Sequence, residues 1–377
     1  MFPKLRFKEF DENWKEVTLK NCITSIDSGW SPQCESYPAN SSEWGVLKTT
    51  SVDWSGFNSS FNKKLPLELT PRKEIEVKPL DILVTRAGPT ERVGVVSVVP
   101  HSVRSKLMIS DKLIRLKSNE ENNPLFLGIS LSSVKCQNQL QSKTSGLAKS
   151  QTNISQKILG EVLLKLPSKE EQTKIASFLS AVDEKISQLT KKHELLSQYK
   201  QGMMQKLFSQ QLRFKADDGS EFREWEEKEL KDIAEINPKS KKLPESFIYI
   251  DLESVEKGQL LLQKNIELQD APSRAQRLLA KGDVLFQMVR PYQQNNYYFN
   301  LSGEYVASTG YAQIRTKLDS KFIYYALHEK TFLDEVMNRC TGTSYPAINS
   351  SDLSSIEILI PCLEEQTKIA NFLSSID

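Results

Sequence analysis

Residues 166–183 read LPSKEEQTKIASFLSAVD, and residues 360–377 read IPCLEEQTKIANFLSSID. Twelve of the eighteen aligned positions are identical at an offset of 194. A second echo keeps the same order. LRFKEFDENWKEVTLK at 5–20 returns as LRFKADDGSEFREWEEKELK at 212–231, with four extra residues before the tryptophan. An internal repeat of nearly 200 residues is too long for a solenoid unit. It predicts two domain-sized copies of one module, and therefore one task carried out twice on a partner with two similar halves.

The length of 377 residues allows two ordinary domains, each with a core of its own. Apolar content of 38% suits a soluble globular chain, and no apolar run approaches the ~20 residues that span a bilayer. The N-terminal MFPKLRFKEFDENWKE has no apolar stretch of the kind found in signal peptides. The five cysteines are scattered, with no C-x-x-C pair. They read as free thiols of a cytoplasmic protein rather than a metal or disulfide framework. The net charge of +2 is uninformative about nucleic acid, because binding needs a local basic face rather than a basic total.

Residues 14–165 predict mixed β structure with a few short helices. VKPLDILVTR (77–86) and ERVGVVSVVP (91–100) are rich in β-branched residues and bounded by Gly and Pro. DKLIRLK (111–117) and EVLLKLP (161–167) alternate apolar and polar residues, whereas NPLFLGISLSS (123–133) fits a helix or a buried strand. The character changes at Pro167. Ser168 stands three residues before Glu171, a capping-box spacing that predicts a helix start. From there to about Gln210 there is no proline, and apolar residues fall at steps of three and four. The stripe contains Ile175, Leu179, Val182, Ile186, Leu189, Leu196, Met203 and Leu207, with His193 filling one position. Such a helix is a rod of roughly 60 Å, and a single-stripe rod needs another helix against it.

The second module mirrors the first. FIYIDLESV (247–255) parallels GVLKTTSV (45–52), and KGDVLF (281–286) parallels KPLDILV (78–84), so that Asp283 corresponds to Asp81. Both aspartates read as turn residues. GYAQIRTK (310–317) parallels DKLIRLKS (111–118). Ile348, Leu353, Ile356, Ile358 and Ile360 fall on Ile154, Leu159, Val162, Leu164 and Leu166 at the same offset of 194.

Several chemistries are missing. Neither G-x-G-x-x-G nor G-x-x-x-x-G-K-S/T occurs. The Asn/Asp-Pro-Pro-aromatic tetrapeptide of amino-methyltransferases is absent too: Asn237-Pro238 is followed by lysine, and Arg290-Pro291-Tyr292 lacks the acid or amide. His193 and His328 each precede a glutamate without completing H-E-x-x-H.

Two β-rich modules, each closing on apolar-Pro-x-x-Glu-Glu-Gln-x-x-Ile-Ala-x-Phe-Leu, resemble the specificity subunit of type I restriction-modification enzymes. The resemblance covers essentially the whole chain and is strongest at Pro167 and Pro361. It implies an α+β fold in which two target recognition domains (1–167 and 212–361) are linked by a long spacer helix (168–211), with a second spacer helix beginning at 362–377. It implies that each domain reads one half of a split, asymmetric site in double-stranded DNA. The helices would pack together and dock adenine-methylating subunits, and a separate translocase-nuclease subunit would cleave. The chain itself would do no chemistry, and S-adenosylmethionine, ATP and magnesium would belong to the partners. In this family the second helix runs on and pairs with the first. The repeat here stops at Asp377, the equivalent of Asp183. The expectation is a truncated or rearranged subunit, a missing segment supplied by another polypeptide, or self-association through the bare stripe.

A ~60 Å rod gives the same arrangement from the residues alone: at ~3.4 Å per base pair it limits two readers to a separation of roughly 18 base pairs. Lys and Arg suit phosphates, and Arg, Asn, Gln, Ser and Thr suit base edges. In the first module the candidates are Arg86 and Arg92 in TRAGPTER (85–92), and Lys143, Lys149 and Gln151 in SKTSGLAKSQTN (142–153). In the second they are Arg290, Gln293, Gln294, Asn295 and Asn296 in QMVRPYQQNNYY (287–298), with Thr343 and Ser344 in TGTSYP (341–346). Four consecutive amides beside Arg and Tyr favour the QQNN run. Lys191, Lys192, Lys200 and Lys206 of the helix read as a solvated face. Two other classes are open from the residues alone: a coiled-coil scaffold that touches no DNA, and a nucleic-acid enzyme with an unrecognised site.

Overall fold

The computed structural model describes residues 5–148, 151–239 and 242–377. The chain divides into two compact units, Met1–Gln188 and Leu189–Asp377, and the boundary falls inside one continuous helix, Lys169–Phe208. Both units mix helix with small sheets, as an α+β chain should.

Unit 1 is organised by a four-stranded antiparallel sheet in the order Ile23–Ser28, Leu113–Ser118, Ile82–Thr85, Val96–Val98. Unit 2 repeats that order with Ala234–Ile236, Tyr311–Thr316, Val284–Gln287 and Tyr297–Tyr298. The central strands are those that the sequence alignment paired, DILV with DVLF and LIRLK with QIRTK. A second sheet is also conserved in topology. Gly45–Leu47 pairs parallel with Leu107–Met108 and antiparallel with Asn62–Lys64. Ser246–Ile250 likewise pairs parallel with Tyr305–Ser308 and antiparallel with Lys264–Glu267. Unit 2 adds one more strand, Ala275–Leu278. The ambiguous NPLFLGISLSS forms a helix, Pro124–Ser132. Asn123 accepts from Leu125 N and Phe126 N there, and Pro124 occupies the first turn, where its missing N–H costs nothing.

The alternating segments behave as their period requires. Leu163–Leu166 pairs with Lys15–Thr18, and Glu357–Ile360 pairs with Glu226–Glu229. The ten apolar positions matched at the offset of 194, Ile154 through Leu166 and Ile348 through Ile360, are all buried. Their inward faces join cores that also take in the helix that follows: Ala176 in unit 1, and Ile369, Ala370 and Leu373 of the helix Leu363–Ser374 in unit 2.

The two echoes in the sequence meet in space. In unit 1 the Arg6 guanidinium donates to both carboxylate oxygens of Glu171 at 2.7 and 2.6 Å, and Trp14 Nε1 donates to the same group at 3.3 Å. In unit 2 Arg213 grips Glu365 at 3.2 and 2.9 Å, and Trp225 Nε1 donates to it at 3.1 Å. Gln172 and Gln366 complete each latch, accepting from Asn123 N and Asp319 N and donating to the carbonyls of Pro167 and Pro361. The capping box expected at Ser168 is therefore only half formed. Ser168 Oγ accepts from Glu171 N at 3.4 Å, but the Glu171 carboxylate is drawn away by Arg6 and Trp14, where a buried charge finds a countercharge and an indole donor.

Asp81 and Asp283 also close turns, accepting from Lys78 N at 2.8 Å and Ala280 N at 2.7 Å. Asp283 holds Arg315 through two bonds of 2.8 Å. Asp81 lies 3.8 Å from the equivalent Arg115, and burial pushes its carboxyl above the ordinary value.

Candidate nucleic-acid interface

Each unit brings its two predicted polar segments into contact. In unit 1, Thr152 pairs with Gly88 and Asn153 with Ala87, so that 85–92 and 142–153 share a three-stranded sheet. In unit 2, Arg290 N donates to Pro346 O at 2.7 Å, and Val289 bridges Ala347, the residue after the second segment. The same backbone hydrogen bond ties both pairs. Ile154 N donates to Arg86 O at 3.0 Å, and Ile348 N donates to Met288 O at 3.1 Å. Thus the two candidate loops of each copy form one composite edge at equivalent places.

In unit 1, Arg86 is half-buried at the root of this edge. Arg92 is committed internally: it ion-pairs with Asp53 and donates to Val52 O at 2.8 Å, which ties the loop to the hairpin Val52–Phe57. That contact draws the Asp53 carboxyl below its ordinary range. Lys143 lies on the surface, 3.9 Å from Glu161. Gln151 opens the strand Gln151–Asn153, and Lys149 lies outside the described residues.

Unit 2 shows a cleft of about 1080 Å³ lined by Arg290, Gln293 and Asn295 together with Tyr345, Arg274 and Gln287. Arg290 and Gln294 both adopt left-handed backbone, with φ of 54° and 52°, and bracket the single turn Pro291–Gln293. The Arg290 guanidinium stacks 4.2 Å from the centre of the Tyr345 ring, where cation–π attraction holds it flat. Thr343 and Ser344 are exposed on the adjoining segment. Asn296 corrects the sequence reading. It is 1% exposed, accepts from Gln287 N at 2.9 Å and lies 3.4 Å from His328 Nε2, so it shapes the loop from inside and offers no group to a ligand. His328 Nδ1 lies 2.7 Å from Tyr324 O and must donate to it, which leaves Nε2 to accept from Asn296. Burial lowers the affinity of this ring for a proton.

Sequence reasoning missed Tyr345, Arg274 and Gln287. Tyr345 was legible as an aromatic next to a proline in a polar turn, but a ring that stacks on an arginine 55 residues earlier in the chain leaves no local pattern.

The helix stripe divides into three. Leu207 is fully buried, and Ile175, Leu179 and Met203 are half-buried. Val182, Ile186, Leu189 and Leu196 are exposed, Ile186 by 56%. Among the described residues, no helix is long and apolar enough to cross a membrane, and no cluster of His, Cys, Asp and Glu could hold a metal ion.

Comparison with known proteins agrees with this duplicated architecture. The family profile described as "Type I restriction modification DNA specificity domain" matches residues 12–197 and again 223–377. The chain is 40% identical over 171 residues to the Type I restriction enzyme EcoEI specificity subunit of Escherichia coli; that stretch is 45% of this chain and 29% of the relative. It is 26% identical over its whole length to the Putative type I restriction enzyme MjaX specificity subunit of Methanocaldococcus jannaschii, covering 89% of that protein. In fold it is similar to the crystal structure of the type I restriction-modification system S subunit from M. genitalium, with a TM-score of 0.66, 17% identity, and coverage of 100% of this chain and 92% of that one.

Proposed function

The chain belongs to the family of type I restriction-modification DNA specificity domains, and from that premise we propose that it is the non-catalytic DNA-recognition subunit of such an enzyme. Each unit reads one half of a bipartite, asymmetric site in duplex DNA. The observation that carries this reading is the composite polar edge, built from two distant loops and tied in both units by the same backbone bond. Loops held on a rigid sheet scaffold are where recognition residues belong. The two edges differ in nearly every side chain, so the two half-sites differ in sequence.

The exposed stripe at Val182, Ile186, Leu189 and Leu196 is the docking face for methyltransferase subunits, which hold S-adenosylmethionine. The translocase-nuclease subunit brings ATP and magnesium. Assembly takes place in the cytoplasm, where the DNA is.

The test is to co-express the chain with its methyltransferase subunits and map the methylated adenines. Exchanging residues 225–360 for those of a relative should change one half of the methylated motif and leave the other half intact. A motif unchanged by the exchange would refute the two-reader arrangement. Binding should also fall steeply with salt, as phosphate contacts require.

A further inference from the structure

We propose that the cleft of unit 2 reads a G·C base pair, with the Arg290 guanidinium on guanine O6 and N7 and with Gln287 as the positioning residue that sets this preference. The inference rests on the reading that unit 2 binds one DNA half-site, and it adds which base is recognised and how.

A guanidinium carries five N–H donors. Among the described residues no acceptor takes a hydrogen bond from the Arg290 side chain, and its Nε is buried without a partner. Yet the group is held in place. Its ring partner is Tyr345 at 4.2 Å, and its own backbone N–H donates to Pro346 O at 2.7 Å. The left-handed backbone at Arg290 is a conformation that residues with a side chain rarely adopt, and such outliers gather at ligand-binding positions. A planar fork, fixed but unspent, calls for a planar pair of acceptors.

The neighbouring amides remove the alternatives. Gln287 is 2% exposed. Its Oε1 accepts from the backbone N–H of Asn295 at 3.0 Å, so its other terminal atom is the NH2 group. That group donates to Val289 O at 2.8 Å and to Gln293 at 2.9 Å. A donor reaching Gln293 must meet its oxygen, which leaves the Gln293 NH2 unspent. Asn295 likewise spends its oxygen on Lys257 N at 3.1 Å. This wall of the cleft therefore offers a guanidinium and two NH2 groups, all donors. Guanine presents two adjacent acceptors to such a fork in the major groove, whereas adenine replaces one of them with the N6 amine, so that a donor would face a donor. The carboxylates of Glu253 and Glu256 line the same cleft, beside Lys257 and Arg274, and suit the N4 amine of cytosine. Phosphate also has paired acceptors, and a contact of Arg290 with phosphate would leave binding indifferent to the base at N7.

The experiment selects duplexes from a randomised pool with the full chain bound to its methyltransferase subunits. Each guanine of the selected half-site is then replaced by 7-deazaguanine. The half-site that follows residues 225–360 should contain a guanine at which the deaza base weakens binding about tenfold. Arg290→Ala should lose the same factor and show no further loss with the deaza base. Arg290→Lys, which keeps the charge but not the fork, should relax the choice at that position and retain the salt dependence, which also reports that the unit is folded. Gln287→Leu should admit adenine there. A selected half-site without guanine, or a deaza penalty that persists in Arg290→Ala, would overturn the proposal and leave DNA recognition standing. Failure to select any sequence would overturn both.

Discussion

Glu365 is fully buried and has no water to solvate its charge. It survives there because Arg213 and Trp225 supply three hydrogen bonds. Replacing it by alanine strands a guanidinium and an indole and should destabilise unit 2 by about 3 kcal/mol, measured as a shift in urea midpoint. Glu365→Gln, which retains the shape, should cost less. His328 makes the pH prediction. Burial lowers its proton affinity from the ordinary value of 6.5, whereas the unfolded chain keeps that value. Below about pH 6.5 the unfolded state therefore binds more protons than the folded one, and stability falls as the pH drops. Urea titrations of the chain at pH 7.5 and 5.5 should show the loss, and His328→Gln should flatten it. These roles were only partly legible. Glu171 and Glu365 stand out as repeated letters, but local spacing points to a helix cap. Their actual partners lie 140 to 165 positions away in the chain, and no local rule reports a contact at that range.

Among the elements, the long helix was the most legible. Its predicted start at Ser168 and end near Gln210 compare with Lys169–Phe208 in the structure, because a period of three and four residues is a property of consecutive positions. Its stripe also shows why a pattern does not reveal its own partner. The same apolar spacing continues from Ala176, buried in the core of unit 1, through exposed Ile186 to Leu207, buried in unit 2. Ile186→Glu and Leu189→Glu should leave the urea stability of both units within about 0.5 kcal/mol, while abolishing co-elution with the methyltransferase subunits. Retained co-elution would remove this face from the docking site. The short strands of the composite polar edge were the least legible elements. Ala87–Gly88 and Gln151–Asn153 are too brief to show alternation, and they exist only because each finds the other.

For the whole molecule, the sequence alone determined the duplication, the order of the matched strands, the buried faces and the helix, because each is written in residue type at fixed spacing. From the duplication comes the prediction that exchanging residues 225–360 alters half of the methylated motif. The sequence also pointed to the loops, since Gly, Pro and amide-rich runs between apolar strands mark surface turns. Tertiary structure decided what those loops present. It turned Asn296 inward, committed Arg92 to Asp53, set Arg290 against Tyr345, and let one buried glutamine choose which end of its neighbour's amide remains free. Hydrogen-bond direction depends on which donor faces which acceptor, and that follows from where distant backbone segments cross. The scaffold is thus a matter of pattern and was readable in the chain, while the chemistry those loops offer is a matter of juxtaposition and became visible only once the chain was folded.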